Sequence, residues 1–139
     1  MVSILRFLTP KNTVAYIEED STVRQGLETM RHHAYTDVPV IDGGGHYVGT
    51  LSESDIFGLL LDRGNIDLRY LEETPVRRVL KKDDATVLHN APIRSLLERV
   101  KEHKFVPVVD DRNVFIGIVT RKDVINFFIN NYLENEQEV

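Results

Sequence analysis

The apolar residues in the first half of the chain switch between the period of a strand and that of a helix. Residues 13–17, 38–41 and 47–51 are short runs rich in β-branched side chains, which favour strands. Between the first and second runs, apolar residues at helical spacing predict a helix from an N-cap at position 21 or 22 to about position 33. A second helix is predicted for residues 54–61, so this half has the order β-α-β-β-α.

The second half of the chain repeats this pattern. In both copies an apolar-Pro-Val-apolar-Asp strand is followed, after a turn, by apolar-Gly-x-apolar-Ser/Thr-x-x-Asp. The matching positions lie 68 residues apart and are Pro39 with Pro107, Gly49 with Gly117, and Asp55 with Asp123. Because a repeated unit usually buries its apolar face against its copy, the repeat predicts one domain built from two related halves.

The remaining elements of the second copy follow from the same reasoning. A strand is predicted at residues 86–88, a helix opened by Pro92, and a strand at residues 115–119. The last helix is predicted around residues 124–129, and from Asn130 onward the chain is expected to fray into an acidic tail.

The two copies differ in one connection. Met30 lies nine residues before the proline of the first copy, whereas Val100 lies seven residues before that of the second. The second copy has therefore lost two residues between its helix and its strand. Any pocket formed there must differ from its twin.

The predicted domain boundaries follow the repeat. The first motif covers residues 9–63, the second covers residues 81–134, and residues 64–80 connect them through a short helix. Residues 81–84 are predicted to form a charged loop at the start of the second motif. Residues 2–8 predict a short amphipathic helical turn that packs on the C-terminal helix.

Composition and charge exclude several classes of function. The chain has 139 residues, a formal net charge of -5 and no cysteine, which excludes disulfides and thiol catalysis and argues against a general nucleic-acid surface. No apolar run approaches the ~20 residues of a membrane span and no signal peptide is recognisable, so a cytoplasmic protein is expected. The five histidines lack metal-ligand spacing and no nucleophile has a matching base, so neither a metal site nor a catalytic site is predicted.

The turn from strand to helix carries the candidate chemistry in both copies. Residues 52–55, Ser-Glu-Ser-Asp, and residues 120–123, Thr-Arg-Lys-Asp, place a hydroxyl three positions before a carboxylate. A capping box explains this pattern, because the two side chains satisfy free amides at the start of a helix. The same position suits a nucleotide, since free amides at a helix N-terminus bind phosphate and a carboxylate accepts hydrogen bonds from ribose. The two interpretations are compatible.

At these positions the sequence resembles the tandem CBS-domain proteins, whose paired motifs form a Bateman module. The resemblance rests on the doubled Pro-Val strand, the doubled Ser/Thr-x-x-Asp turn and the helix before the first copy, and covers roughly residues 9–132. It implies an α/β (α+β) fold in which two motifs, each β-α-β-β-α, pack about a pseudo-twofold axis. It also implies two clefts that take adenine nucleotides, each combining the Ser/Thr-x-x-Asp turn of one motif with strands of the other.

The resemblance implies that the cleft at the second of these turns is the main nucleotide site. The first strand of the other motif would meet the adenine, the Pro-Val strand would form an apolar wall, and Thr120 would bind phosphate. Arg121 and Lys122 would add positive charge, and Asp123 would hold a ribose hydroxyl. The predicted binding residues are Thr13, Val14, Ala15, Tyr35, Thr36, Asp37, Val38, Pro39, Thr120, Arg121, Lys122 and Asp123.

The twin cleft is expected to be weak or empty. Glu53 places negative charge where phosphate would lie, and like charges repel at low effective dielectric. The two-residue loss before Phe105 also changes the wall of this cleft. Its residues would be Ala85, Thr86, Val87, Lys104, Phe105, Val106 and Pro107 together with Ser52, Glu53, Ser54 and Asp55.

Among tandem CBS proteins, the chain is most similar to small stand-alone bacterial proteins of the CbpB or DarB type, which bind cyclic di-AMP. The shared features are the shortened second motif with residues 105–109 and the stretch at residues 115–122 with its basic pair. Asp123 departs from that pattern, because those members have no acidic residue there and an aspartate favours the free ribose diol of AMP or ATP. Cyclic di-AMP is placed slightly ahead of AMP and ATP as the expected ligand.

The function implied is that of a regulatory sensor rather than an enzyme. An adenine nucleotide would act as a regulatory ligand, with no required cofactor, and would shift a conformational equilibrium that signals to an unidentified effector protein. The family pairs through its helices, so a homodimer is expected with Ile56, Leu60, Val124 and Phe128 at its seam, unless these residues form an intramolecular core. The alternative is a module that binds no nucleotide and acts only by pairing with a partner enzyme.

Overall fold

The described chain, residues 2–65, 67–80 and 85–137 of a computed structural model, is divided into two compact units. The first unit, which carries the first copy of the repeat, comprises residues 15–84 and 112–115. The second unit comprises residues 1–14, 85–111 and 116–139. The charged loop predicted at residues 81–84 lies outside the described residues.

Both copies of the repeat have the predicted order β-α-β-β-α, and the mixed α+β class is confirmed. In chain order the elements are a 3-10 helix Ile4–Phe7, β1 Thr9–Pro10, a 3-10 turn Lys11–Thr13, β2 Ile17–Glu18, α1 Val23–His33, β3 Asp37–Ile41, β4 Tyr47–Ser52, α2 Glu53–Arg63, α3 Leu68–Glu73, a 3-10 helix Val76–Arg78, β5 Val87–Leu88, α4 Ile93–Val100, β6 Phe105–Val109, β7 Phe115–Thr120 and α5 Arg121–Gln137.

The first unit is built on a three-stranded sheet in the order β2-β3-β4, with β2 parallel and β4 antiparallel to β3. The helix α1 begins with a capping box, in which Thr22 Oγ1 accepts from the amide of Gln25 and Gln25 Oε1 accepts from the amide of Thr22. Apolar side chains of the sheet and helices form its core, which comprises Ile17, Val23, Met30, Val38, Val40, Leu51, Ile56, Leu71 and Val76.

The turn between β3 and β4 is closed by the carboxylate of Asp42. Its Oδ1 accepts hydrogen bonds from the amides of His46 and Gly44, both at 2.9 Å. The bond from the His46 amide is the main cause that lowers the pKa of Asp42 below its ordinary value. The glycine run 43–45 is therefore the hairpin turn that its composition indicates.

The second unit is built on a four-stranded sheet in the order β1-β7-β6-β5. The N-terminal strand β1 pairs antiparallel with β7, Thr9 opposite Ile118 and Pro10 opposite Gly117. Its strand β5 runs parallel to β6, with Val87 opposite Val108. The core of this unit comprises Ile4, Phe7, Val87, Leu96, Val100, Val106, Val108, Val119 and Val124.

The N-terminal segment packs on the C-terminal helix, as its amphipathic pattern predicts. The rings of Phe7 and Phe127 meet edge to face with their centres 5.0 Å apart, and the Arg6 guanidinium lies 4.9 Å from the centre of the Phe127 ring. A residue at the start of the chain therefore completes the core of the unit that contains its end.

Two predicted elements need correction, and one helix was missed. The strand expected at residues 13–17 is only Ile17–Glu18, because Lys11–Thr13 forms a 3-10 turn in which Thr13 Oγ1 donates to the Pro10 carbonyl. The helix α3 was not predicted. The last helix does not fray at Asn130 but continues to Gln137, with Tyr132 donating to the Glu136 carboxylate one turn later.

Candidate functional site

The two Ser/Thr-x-x-Asp turns have the same local geometry. In the second unit, β7 runs directly into α5 and Thr120 Oγ1 accepts from the amide of Asp123 at 3.1 Å. In the first unit, β4 runs directly into α2 and Ser52 Oγ accepts from the amide of Asp55 at 3.0 Å. Each hydroxyl thus satisfies one free amide of its helix, and the N-cap role of the Ser/Thr hydroxyl is confirmed at both turns.

A second bond joins each turn to the segment before its own Pro-Val strand. The amide of Arg121 donates to the carbonyl of Lys104 at 2.8 Å, and the amide of Glu53 donates to that of Thr36 at 3.0 Å. These four residues occupy equivalent positions in the two copies. Each unit therefore fixes its helix N-terminus against the residues that precede its Pro-Val strand.

The charges at the two helix starts differ. In α5, Lys122 and Asp123 are exposed, and within the described part of the chain neither side chain forms a salt bridge or hydrogen bond. In α2, the first turn carries Glu53 and Asp55 and no cation. An exposed cation beside an exposed carboxylate suits a ligand with both phosphate and hydroxyl groups, whereas two carboxylates oppose phosphate.

The side chain of Arg121 contacts main-chain carbonyl groups rather than the open face of the turn. Its Nε donates to the carbonyl of Val100 at 2.7 Å and its Nη2 lies 3.5 Å from the carbonyl of Lys101, both at the end of α4. The family resemblance predicts that this guanidinium binds a phosphate group. The structure gives one of its N–H groups another partner, so its phosphate role stays a prediction.

Asp123 lines a groove that lies wholly within the second unit. The groove has a volume of about 360 Å³, which is within the usual size of small-molecule sites. Its walls come from the N-terminal segment and one face of α5, and its lining residues are Arg6, Phe7, Leu8, Thr9, Asp123, Asn126, Phe127 and Asn130. Arg6 and Asn126 were not among the predicted site residues. The spacing of residues 123, 126, 127 and 130 along one helical face could have indicated them.

The predicted main site is divided between the two units. Thr13 and Val14 belong to the second unit with the turn at residues 120–123, whereas Ala15 and residues 35–39 belong to the first. The Val14 amide is already used by the carbonyl of Lys11. The grouping of all these residues in one cleft stays a prediction.

The residues that the first unit contributes to the predicted main site include one exposed aromatic ring and two buried apolar residues. Tyr35 is 39% exposed, and its ring stacks on that of His33 with centres 5.5 Å apart. Thr36 Oγ1 donates to the Asp37 carboxylate at 2.9 Å. Val38 and Pro39 are buried, and Val38 belongs to the core of the unit. Tyr35 is thus the member of this segment with the most ring surface open to a ligand.

The predicted twin site is divided in the same way. Residues 85–87 and 104–107 belong to the second unit, and residues 52–55 belong to the first. Lys104 is exposed and Thr86 and Phe105 are partly exposed, whereas Ala85, Val87, Val106 and Pro107 are buried.

No cluster of three potential metal ligands occurs among the residues the structure describes. In that part of the chain no helix is both long and apolar enough to cross a membrane.

The doubled β-α-β-β-α unit with its capped strand-to-helix turns defines a tandem CBS protein. The CBS domain family matches residues 8–62 and 76–130, more than half of the chain, and the chain belongs to this family.

The chain is also similar to two individual proteins in sequence and to one crystal structure in fold. It is 26% identical over 120 residues to cyclic di-AMP receptor B of Bacillus subtilis, covering 86% of this chain and 82% of the receptor. It is 26% identical over 147 residues to an uncharacterized protein of Methanocaldococcus jannaschii, of which it spans 52%. The crystal structure of Listeria monocytogenes CbpB in complex with cyclic di-AMP matches with a TM-score of 0.84 at 24% identity, covering 94% of this chain and 97% of that one. The chain thus has the fold of CbpB and is similar in sequence to cyclic di-AMP receptor B.

Proposed function

We propose that this protein is a regulatory sensor of adenine nucleotides with no catalytic activity of its own, and that cyclic di-AMP is slightly preferred over AMP and ATP. The proposal is supported by the relation to a receptor named for cyclic di-AMP and to a CbpB that was solved with that ligand. The observation that carries it is the first turn of α5, which joins an exposed lysine to an exposed aspartate next to a groove.

Phosphate binds at the start of α5. The amides of Arg121 and Asp123 are used by Lys104 and Thr120, so among the first three amides of the helix that of Lys122 is left for a ligand. A helix N-terminus attracts anions, and the ammonium group of Lys122 adds a full positive charge. The hydroxyl of Thr120 accepts from Asp123 and can still donate its own proton to a phosphate oxygen.

In this proposal the ribose binds beside this phosphate, and the base binds beyond the ribose. The Asp123 carboxylate accepts hydrogen bonds from ribose hydroxyls, and the exposed ring of Tyr35 offers a flat apolar face to adenine. Ala15 and the strand at residues 37–39 complete the base site in this proposal. At the twin turn Glu53 repels phosphate, so a second ligand binds weakly or not at all.

Binding acts as a signal because the ligand favours one conformation over another. A ligand shifts such an equilibrium only by its difference in affinity for the two states, and the effector protein then recognises the favoured state. Calorimetric titration with cyclic di-AMP, AMP and ATP tests the proposal. Saturable heat from at least one nucleotide is expected, with cyclic di-AMP binding most tightly. The absence of binding to all three at millimolar concentration would refute the sensor function and favour a nucleotide-free interaction module.

The substitution Asp123→Asn separates the candidate ligands. AMP and ATP carry a free ribose diol, so loss of the carboxylate should weaken both by about tenfold, roughly 1.4 kcal/mol for a charge-assisted hydrogen bond. Cyclic di-AMP has its 3′ oxygen in the phosphodiester and should lose less than about threefold in affinity. Titration of the purified variant measures both.

Asp55→Asn is the matched control for this experiment. Asp55 occupies the equivalent position in the twin turn, which is proposed to be weak or empty. Its replacement should leave all affinities unchanged. Equal losses from the two substitutions would contradict the proposed difference between the sites.

A further inference from the structure

The helices that precede the two Pro-Val strands end differently. The first, α1, ends with Ala34 in the left-handed conformation at φ 57°, and the amide of Tyr35 donates back to the Met30 carbonyl at 2.8 Å. This arrangement satisfies the last carbonyls of the helix. The second, α4, is followed by Lys101 in the right-handed helical region at φ -64°, and its connection to the next strand is two residues shorter. The carbonyl of Arg99 accepts from the amides of Glu102 and His103, whereas those of Val100 and Lys101 need another partner.

The side chain of Arg121 supplies that partner. Its Nε donates to the carbonyl of Val100 at 2.7 Å, and its Nη2 approaches the carbonyl of Lys101 at 3.5 Å. A cation at the C-terminal end of a helix is also favoured by the helix dipole. The equivalent residue of the first copy is Glu53, which has no N–H group in its side chain and stands where α1 needs no such donor.

Arg121 holds the same connection through its main chain. Its amide donates to the carbonyl of Lys104 at 2.8 Å, so one residue anchors both ends of the segment 101–104. Arg121 is partly buried, whereas the neighbouring Lys122 is exposed. The two basic residues are therefore in different environments although they are adjacent in the sequence.

We propose that Arg121 is a positioning residue and that Lys122 alone supplies the side-chain cation for phosphate. The guanidinium fixes the shortened connection against the N-terminus of α5, which keeps the binding turn in the conformation that accepts the ligand. A preorganised turn loses less conformational entropy on binding, so the benefit extends to any ligand at this position, charged or not. The roles of both residues in binding rest on the proposed nucleotide function, whereas the anchoring of residues 101–104 does not.

Hydrogen exchange of the protein without nucleotide tests the anchoring. The amides of Glu102 and His103 donate to the Arg99 carbonyl at 3.1 and 3.0 Å. Arg121→Ala should lower the protection of these two amides at least tenfold, and the matched variant Lys122→Ala should leave it unchanged. If Arg121→Ala does not fold, Arg121→Lys, which keeps the charge but loses the planar fork, should lower it by a smaller factor. Unchanged protection in the Arg121 variant would overturn the anchoring.

Titration with AMP and with uncharged adenosine tests the division of roles. Lys122→Ala should weaken AMP by about tenfold and leave adenosine unchanged, because the lysine acts on the phosphate. The Arg121 variant should weaken both by the same factor, at least threefold. A loss confined to AMP would make Arg121 a phosphate ligand, and no loss with either would remove its role in binding; each result overturns the proposal. If the wild-type protein binds neither, the nucleotide function fails while the exchange result still decides the anchoring.

Discussion

At the scale of single residues, the glycine of the repeat is required by backbone geometry. Gly49 and Gly117 have φ values of 154° and 155°, in a region that side chains rarely adopt. A Cβ atom on Gly117 would lie 2.3 Å from the carbonyl oxygen of Thr9. The close approach lets β1 pair with β7 at Gly117, and the φ value common to both glycines explains their match between the copies.

Gly117→Ala should therefore be strongly destabilising. The added methyl group must displace the backbone of β1 or strain that of β7, and we expect a loss of about 2–4 kcal/mol in the free energy of unfolding. Chemical denaturation of the variant and the wild type measures this difference. Gly58→Ala in α2 is the control, since no atom lies within 4 Å of its new methyl group and alanine favours a helix by about 0.5–1 kcal/mol. Similar stabilities for the two variants would refute the steric explanation.

The residue roles that could be predicted from the sequence are the local ones. The capping by Ser52 and Thr120 follows from a hydroxyl three positions before a carboxylate, because the groups that bond lie within one helical turn. The bond from Arg121 to Val100 joins residues 21 positions apart. Its formation depends on how α4 packs beside α5, and no local pattern contains that information.

At the scale of elements, the two cores exchange a large and a small residue. In the first unit a methyl group on Gly26 would lie 2.7 Å from a methyl carbon of Leu51. In the second unit the corresponding positions hold Leu96 and Val119, both fully buried. The strand thus supplies the larger side chain of this pair in the first unit, and the helix supplies it in the second.

The N-terminal 3-10 helix should contribute to stability through one face. Phe7 is 7% exposed and contacts Phe127, so Phe7→Ala should lower the free energy of unfolding by about 3–5 kcal/mol. Leu5 lies on the same helix but is 47% exposed. Leu5→Ala should therefore change the free energy of unfolding by no more than about 0.5 kcal/mol. Thermal or chemical unfolding measures both. Equal effects would show that this segment does not pack as described.

Most elements could be predicted because their apolar residues repeat with a clear period. The exceptions have physical causes. With six residues, α3 is too short for a helical period to be recognised, and it is held by the buried Leu71. The run at residues 13–17 has β-branched residues, but the 3-10 turn after Pro10 takes its first part. The local hydrogen bonds of this turn outweighed the strand preference there.

At the scale of the whole molecule, the units do not follow the order of the chain. Residues 112–115 belong to the first unit through bonds such as that from the Phe115 amide to the Gly45 carbonyl, and residues 1–14 belong to the second. The motif boundaries at 63 and 81 stay a prediction. Sequence periodicity identifies the two repeats, but it does not show which short segments of one repeat pack in the unit of the other.

The exposed face of α5 is proposed to bind a second copy of the chain. Val124 and Ile56, predicted for the dimer seam, instead lie in the cores of their units. Phe128 is 51% exposed and belongs to an apolar stripe at helical spacing. The stripe comprises Ile125, Phe128, Ile129, Tyr132 and Leu133, each between 48% and 62% exposed.

Phe128→Asp should convert the proposed homodimer to a monomer, because a charge in an apolar contact loses its hydration without gaining a partner. Sedimentation equilibrium measures the mass, and a shift of at least tenfold in the dissociation constant is expected. Leu88→Asp is the control, since Leu88 is 46% exposed but lies on the edge strand β5 rather than on α5. A wild-type protein that is monomeric at high concentration would contradict the proposal.

The pairing of β1 with β7 has a consequence for the protein as it is synthesised. Thr9 leaves the ribosome long before its partner Ile118, and pairing between such distant residues is slow to form. Until the partners of Ile4 and Phe7 in the core have been synthesised, this segment of the nascent chain is exposed to association with other chains.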